Sequence, residues 1–314
     1  MASAPGRSCP VSYRYGAAAL AGAAAFATEA LWVAGGLYGN RFALQALLER
    51  YDAEPGEKAL VFNGDFHWFD ADASSFTEIQ AGVERFHCTR GNVETELAAP
   101  VDEGGCGCGY PGWVDDGTVE RSNEIIGRLA AAARRFPEAL GRLAALPMHL
   151  VARVGVERVA IVHGDADSLA GWGFSQETLA TAAGMRAAQD ASRAARARVF
   201  ASSHTCLPVL QALPGGGIVA NNGAAGMPNF SGELYGLATR IAVRPAADAL
   251  YRVKSGGLFV EAVPLRYDVR AWERHFLALW PDGSPAHRSY FERIARGPRY
   301  GLAQALRPAA ALAA

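Results

Sequence analysis

The stretch VFNGDFHWFDAD, residues 61–72, starts as an apolar run and ends in Asp65, His67, Asp70 and Asp72. A buried strand that delivers so many ionisable groups to one place gives them a turn to form, a proton to move or a cation to hold. The segment alone leaves all three open. Its counterparts elsewhere in the chain narrow the choice.

Four β runs end alike. ALVFNGD ends in Asp65, FHCTRGN in Asn92, RVAIVHGD in His163 and Asp165, and RVFASSHT in His204. The carboxyl ends of neighbouring strands converge in space, which is where open α/β sheets place their ligands. Asp, Asn and two His offer oxygen and nitrogen donors suited to Zn²⁺, Mn²⁺ or Fe²⁺, less so to Mg²⁺. Glycines beside Asp65, Asn92 and His163 let the backbone turn sharply there. A lone Asp or Asn after a strand is commonly a turn former. Four ligand-type residues, each after an apolar run, favour a shared metal over four separate turns.

In chain order, GD (64–65), RGNVE (90–94), VHGD (162–165) and SHTC (203–206) resemble the motifs of the calcineurin-like metallophosphoesterase superfamily. GGLYGNRFALQALL (35–48) is similar to that family's opening segment, and VANNGAAGMP (219–228) to the segment after its last histidine motif, so the resemblance spans roughly residues 30–245. It implies a four-layer αββα fold and two metals around a shared aspartate, here Asp65. It also implies that Asn92, His163 and His204 complete one metal's ligands. At the positions that hold the other metal, this sequence has Gly36, Tyr38 and Cys206, and Val93 stands where a general-acid histidine is often found.

Two readings of the site remain open. One metal stays, held by Asp65, Asn92, His163 and His204. Alternatively, a rebuilt neighbouring site uses Cys206 with His67 or Asp70, and a thiolate there favours Zn²⁺ or iron. One or two divalent transition metal ions (Mn, Zn or Fe) per chain are therefore expected. The implied reaction is hydrolysis of a phosphomonoester or phosphodiester by metal-activated water, with Asp65, Asn92 and His204 at its centre. The charge that develops on phosphoryl oxygens needs cations or backbone amides. Arg90 is the expected catalytic cation, and Asn40 with Arg41 the expected substrate contacts. The alternatives are a non-catalytic protein that binds a metal or phospho-ligand, and a thiolate–metal site with redox chemistry.

The rest of the chain supports an α/β protein. Helical periodicity in NRFALQALLERY places Phe42, Leu44, Leu47 and Leu48 on one face. SSFTEIQAGVERF reads as a helix capped by Ser74 or Ser75, and NEIIGRLAAAARRFPEALGRLAAL as a helix broken near Pro137. HLVARVGVERVAIVHGD reads as a hairpin. The last third is a succession of strands, closed by the amphipathic DVRAWERHFLALW. Alternation followed by strand succession predicts a mixed β-sandwich flanked by helices. The expected organisation is an arm (1–29), a catalytic-type domain (30–270) with a Gly/Cys-rich insertion at 100–118, and a helical extension (271–314) packed on it.

With 314 residues, half of them hydrophobic, the chain can build a large core. Thirty basic and 31 acidic residues leave a net charge of −1, which argues against nonspecific nucleic-acid binding. The apolar GAAALAGAAAFA is too short and Ala-rich to span a bilayer, and a cytoplasmic protein with a small phosphorylated substrate is expected. Five cysteines argue against a disulfide framework. Cys106 and Cys108 in GGCGCGYP are read three ways: metal chelator, redox pair, or a lid over the site with Tyr110.

Overall fold

This computed structural model describes residues 5–7, 9–100 and 105–307. Residues 101–104 of the expected insertion, 308–314 of the expected extension, and 1–4 and 8 of the expected arm lie outside them. After two short 3₁₀ turns come β1 (Phe26–Thr28) and β2 (Ala30–Ala34). Strands and helices then alternate through α1 (Arg41–Asp52), β3 (Lys58–Asn63), α2 (Ala73–Val83), β4 (His87–Thr89) and α3 (Asn92–Ala98). Helices α4 (Asp116–Ala133) and α5 (Pro137–Ala145) follow, with Pro137 opening the second, as its missing N–H allows.

The hairpin β5 (His149–Val154) and β6 (Glu157–Val162) leads to α6 (Ala182–Ala195), β7 (Val199–Ser202), β8 (Pro208–Ala212) and β9 (Ile218–Asn222). The chain goes on through β10 (Gly236–Ala242), β11 (Tyr251–Ser255) and β12 (Leu258–Leu265). It closes with α7 (Val269–Leu279), α8 (Pro285–Arg296), α9 (Leu302–Ala305) and β13 (Leu306–Arg307).

The strands form two mixed sheets, in the orders β1-β5-β6-β7-β9-β8-β13 and β11-β12-β10-β2-β3-β4. Side-chain alternation along a strand decides the layering. In β2, Leu31 and Val33 face the other sheet and pack with Val159, Ile161, Val199 and Ala220. Trp32 and Ala34 point the opposite way, into the core shared with α1, α2 and α4. On the far sheet, Ala160, Val162 and Phe200 point outward to the side carrying α6. The result is the expected helix–sheet–sheet–helix stack, with each fully buried Leu, Val or Phe contributing about 1.5–3 kcal/mol.

Two buried asparagines stitch the sheets together. Asn63, at the end of β3, donates to the Val162 carbonyl at 2.7 Å. Asn222, at the end of β9, donates to the carbonyls of Gly35 (2.9 Å) and Leu237 (3.0 Å). Both stitches lie at the carboxyl ends of parallel strands and fix the two rims against each other.

Some expectations shift by a few residues. Helix α2 is capped by Asp72, whose carboxylate accepts from the N–H groups of Ser74 and Ser75, so the aspartate is the cap and the serines are inside the helix. Strand β8 was not foreseen, and the C-terminal region carries two main helices where one was expected. The end of the expected arm pairs with β5 as β1. Helix α8 of the expected extension packs on α4. Among the described residues, no helix is long and apolar enough to cross a membrane.

Candidate metal centre

The GD turn after β3 has a backbone that few residues tolerate. Gly64 has φ +73° and Asp65 φ +51°, the left-handed region that disfavours a side chain. A Cβ on Gly91 would lie 2.2 Å from Asp65 Oδ1, and one on Gly64 would lie 2.6 Å from both Gly91 Cα and His163 Nδ1. The two glycines thus let three strand ends close to contact distance. Glu94 secures the turn: its carboxylate accepts from the N–H groups of Asp65 (2.8 Å), Gly91 (2.8 Å), Phe66 (3.1 Å) and His67 (3.3 Å). This buried bracket was not singled out from the sequence. Its signal is a Glu three residues after the glycine that precedes a helix, the capping-box spacing.

His163 stands in the middle of the cluster. Its Nε2 is 3.3 Å from Asp65 Oδ2, 3.3 Å from Asn92 Oδ1 and 3.2 Å from His204 Nδ1. Ligands about 2.0–2.1 Å from a tetrahedral ion are separated by about 3.3–3.4 Å, so the spacing matches that of a coordination shell. All four residues are buried. The ligand-type atoms of Asp65, His163 and His204 lie within 4.8 Å of one another.

Backbone carbonyls behind the cluster aim three of the four side chains. His163 Nδ1 donates to the Asn63 carbonyl at 2.8 Å, which leaves Nε2 facing inward. His204 Nε2 donates to the Cys108 carbonyl at 2.9 Å, which turns Nδ1 inward. Asn92 Nδ2 donates to the Cys106 carbonyl at 2.8 Å, which turns Oδ1 inward. Such outer partners fix the tautomer and orientation a metal needs.

The protonation states of Asp65 and His204 agree with that use. Burial opposes the Asp65 charge, but His163, with a further contribution from His204, holds the carboxyl below its ordinary range. Burial alone would lower His163, and the adjacent Asp65 raises it instead, so a metal bound there would displace its proton. Burial, then the charge of His163, push His204 down to about 4, so it is neutral at neutral pH. An anionic carboxylate and a neutral imidazole are ligand forms. The donor set fits a divalent transition metal.

The neighbouring half-site is filled by side chains. A Cβ at Gly36 would meet the Tyr38 ring at 2.8–2.9 Å, and Tyr38 Oη lies 2.9 Å from Cys206 Sγ. Burial raises the Cys206 pKa and keeps the group a thiol. His67 does not join it: its Nδ1 meets Asp70 Oδ2 at 2.5 Å, its Nε2 meets Gln80 Oε1 at 3.0 Å, and its ring stacks on Phe76. Asp70 also accepts from the Trp68 N–H. The expected pairing of Cys206 with His67 or Asp70 is therefore not assembled, because both nitrogens of His67 are committed on the α2 side.

Three further expectations are corrected in the same way. Arg90 reaches the Ala144 carbonyl, and Arg41 makes an exposed ion pair with Glu78. Asn40 is a buried cap for α1, accepting from the Phe42 and Ala43 N–H groups and donating to the Gly226 carbonyl. Each has its partners away from the cluster. Asp165 forms a turn, accepting from the N–H groups of Asp167, Ser168 and Gly173. Cys106 and Cys108 form a disulfide with one residue between them. This is a local cross-link rather than a framework.

Asp65, Asn92 and His204 open on a cavity of about 40 Å³ walled by Trp68, Tyr110, Trp172 and Tyr290. That is space on the scale of one water. Helix α8 supplies Tyr290 to this wall, and its Arg293 donates to the carbonyls of Cys206 (2.7 Å) and Pro228 (2.8 Å). Neither residue stood out in the sequence.

No family model matches the sequence. No curated protein sequence matches it either. Solved structures do match. A hypothetical protein from Pyrococcus horikoshii OT3 is 16% identical with a TM-score of 0.58, over 87% of this chain and 100% of that one. A metallophosphoesterase from Sphaerobacter thermophilus is 15% identical with a TM-score of 0.54, over 86% of this chain and 100% of that one. The fold of this chain is the metallophosphoesterase fold.

Proposed function

We propose that the protein is a metal-dependent phosphoesterase that works with a single metal half-site. The observation that carries this reading is the convergence of Asp65 Oδ2, Asn92 Oδ1 and His204 Nδ1 on His163 Nε2 at 3.2–3.3 Å. A metal held there would supply Lewis acidity and lower the pKa of a bound water towards neutrality. The chain's own residues then have separate tasks. Asp65 provides the negative charge of the site, His163 and His204 present aimed nitrogen atoms, and Asn92 adds a neutral oxygen. The aromatic wall excludes bulk water and strengthens electrostatic interactions inside.

Among the described residues that line the cavity, none is Lys or Arg. The phosphoryl oxygens of a small phosphorylated substrate would therefore meet few protein cations. Loss of one metal of a pair also removes the symmetric clamp on attacking and leaving oxygens. Slow or narrow hydrolysis follows from both. The cavity also has room for a water and not for an ester. That small volume favours, as a second reading, a protein that binds a metal without turning over.

The test loads wild-type protein and His204→Ala with Mn²⁺ or Zn²⁺ and assays a panel of phosphomonoesters and phosphodiesters. Hydrolysis that falls at least about 100-fold in the variant supports the enzyme reading. Metal binding with no turnover of any ester supports the second.

A further inference from the structure

The segment Gly105-Cys106-Gly107-Cys108-Gly109 occupies an unusual place. Its three glycines have φ of +57°, +65° and +58°, a winding that side chains disfavour. Packing closes around it. A Cβ on Gly107 would lie 2.5 Å from Tyr13 Oη, and one on Gly105 would lie 2.4 Å from Asn123 Oδ1. The Cys106 N–H donates to the same Asn123 oxygen at 2.9 Å. Cys106 is fully buried, and Cys108 is 7% exposed at the cavity wall.

A disulfide normally stabilises by closing a long loop in the unfolded chain. This one spans a separation of two residues, so little chain entropy is removed, and stapling is a poor account of it. Its position gives a better one. The Cys106 carbonyl holds Asn92 and the Cys108 carbonyl holds His204, so one short cross-linked segment orients two of the four ligand residues. Trp172 Nε1 donates to that same Cys108 carbonyl at 3.1 Å.

We propose that Cys106 and Cys108 form a redox-responsive site that sets metal affinity through Asn92 and His204. This inference rests on the single-metal reading above. A small dithiol supplies the reaction. One of its thiolates attacks a cysteine sulfur, the protein S–S bond breaks, and a mixed disulfide forms. The second thiol displaces it, leaving the reductant as a cyclic disulfide and two thiols on the protein. Two electrons and two protons have then moved to the pair. The sulfurs pass from covalent to van der Waals separation in a tightly packed segment, so the backbone that carries both carbonyls must shift. The ligand oxygen of Asn92 and ligand nitrogen of His204 lose their aim.

The experiment compares full-length protein in the oxidised and dithiol-reduced states, with the reductant removed anaerobically before measurement. Thiol titration under denaturing conditions should find three thiols before reduction, from Cys9, Cys88 and Cys206, and five after. Zn²⁺ affinity, measured by competition with a chromophoric chelator, should fall about 10- to 100-fold on reduction. The double variant Cys106→Ala/Cys108→Ala should bind Zn²⁺ weakly and ignore the dithiol. Five thiols before reduction, or equal affinity in the two states, overturns the redox inference alone. Zn²⁺ bound by neither state overturns the metal reading and this inference with it.

Discussion

Tyr38 Oη meets Cys206 Sγ at 2.9 Å, and the Tyr38 ring lies against Gly36 where a larger side chain would need room. Gly36, Tyr38 and Cys206 thus pack into one unit. A chain with this plug is expected to carry about one metal equivalent, read by elemental analysis after extensive dialysis. His204→Ala should lower that value towards zero. Two tightly held equivalents in the wild type would contradict the plug.

Gly91→Ala tests the contact that lets two strand ends close. Its new Cβ would stand 2.2 Å from Asp65 Oδ1 and 2.7 Å from the Asp65 nitrogen. Overpacking of this kind costs about 1–3 kcal/mol. Denaturant midpoints should fall accordingly, and metal affinity measured by titration calorimetry should drop at least about tenfold as Asp65 is displaced. Unchanged affinity would show that Asp65 is not a ligand.

Glu94→Gln removes the carboxylate that brackets four backbone N–H groups. The amide presents its own NH₂ to one pair of donors, leaving buried N–H groups without an acceptor at about 1–3 kcal/mol. Urea unfolding should show a lower midpoint with an unchanged m value. Glu94→Asp, which keeps the charge but shortens the reach, should recover part of the loss. Wild-type stability in Glu94→Gln would show that the bracket contributes little.

A pH dependence follows from Arg240 and its two carboxylate partners. Arg240 is buried between Glu54 and Glu261, with ion-pair distances of 2.7 and 2.6 Å. Burial works against the Glu54 charge, yet the Arg240 hydrogen bond and charge, with the Trp32 N–H, hold its pKa below the ordinary value of 4.5. A depressed carboxylate adds stability that is present above its unfolded pKa and lost as pH falls through the folded one. Wild-type stability should therefore decline as pH drops below about 4.5, and Glu54→Gln, with a lower plateau, should decline less steeply over that interval. Parallel curves would remove Glu54 from the account.

The strand ends were legible because each carries local information. An apolar run, a glycine and a polar donor need only neighbours in sequence, and Asp65, Asn92, His163 and His204 all met in space. The hairpin of β5 and β6 was equally readable, since Gly155 at φ +56° makes its turn. Side-chain direction was not readable. Arg90 and Arg41 sit beside ligand-type residues in sequence but point to Ala144 and Glu78, because chain proximity says nothing about which way a long side chain runs. Asn63 was passed over because its partner is a backbone carbonyl of another strand, and Glu94 because three of its four partners lie in the turn after β3, far from it in sequence. The disulfide was beyond counting cysteines, since pairing depends on local winding. Strand β8 was missed because it opens on Pro208, a residue that a strand accepts only at its first position, at an edge or at a bulge.

Asp65 and Asn92 follow strands of the six-stranded sheet, whereas His163 and His204 follow strands of the seven-stranded one. A cation in this position would act as a rivet through both halves of the sandwich. Its loss would be felt as melting of the whole β core rather than as loosening of one rim. At a free ion level 100 times the dissociation constant, the rivet is worth about 2.7 kcal/mol. For a protein of this architecture, a chelator should therefore behave as a mild denaturant.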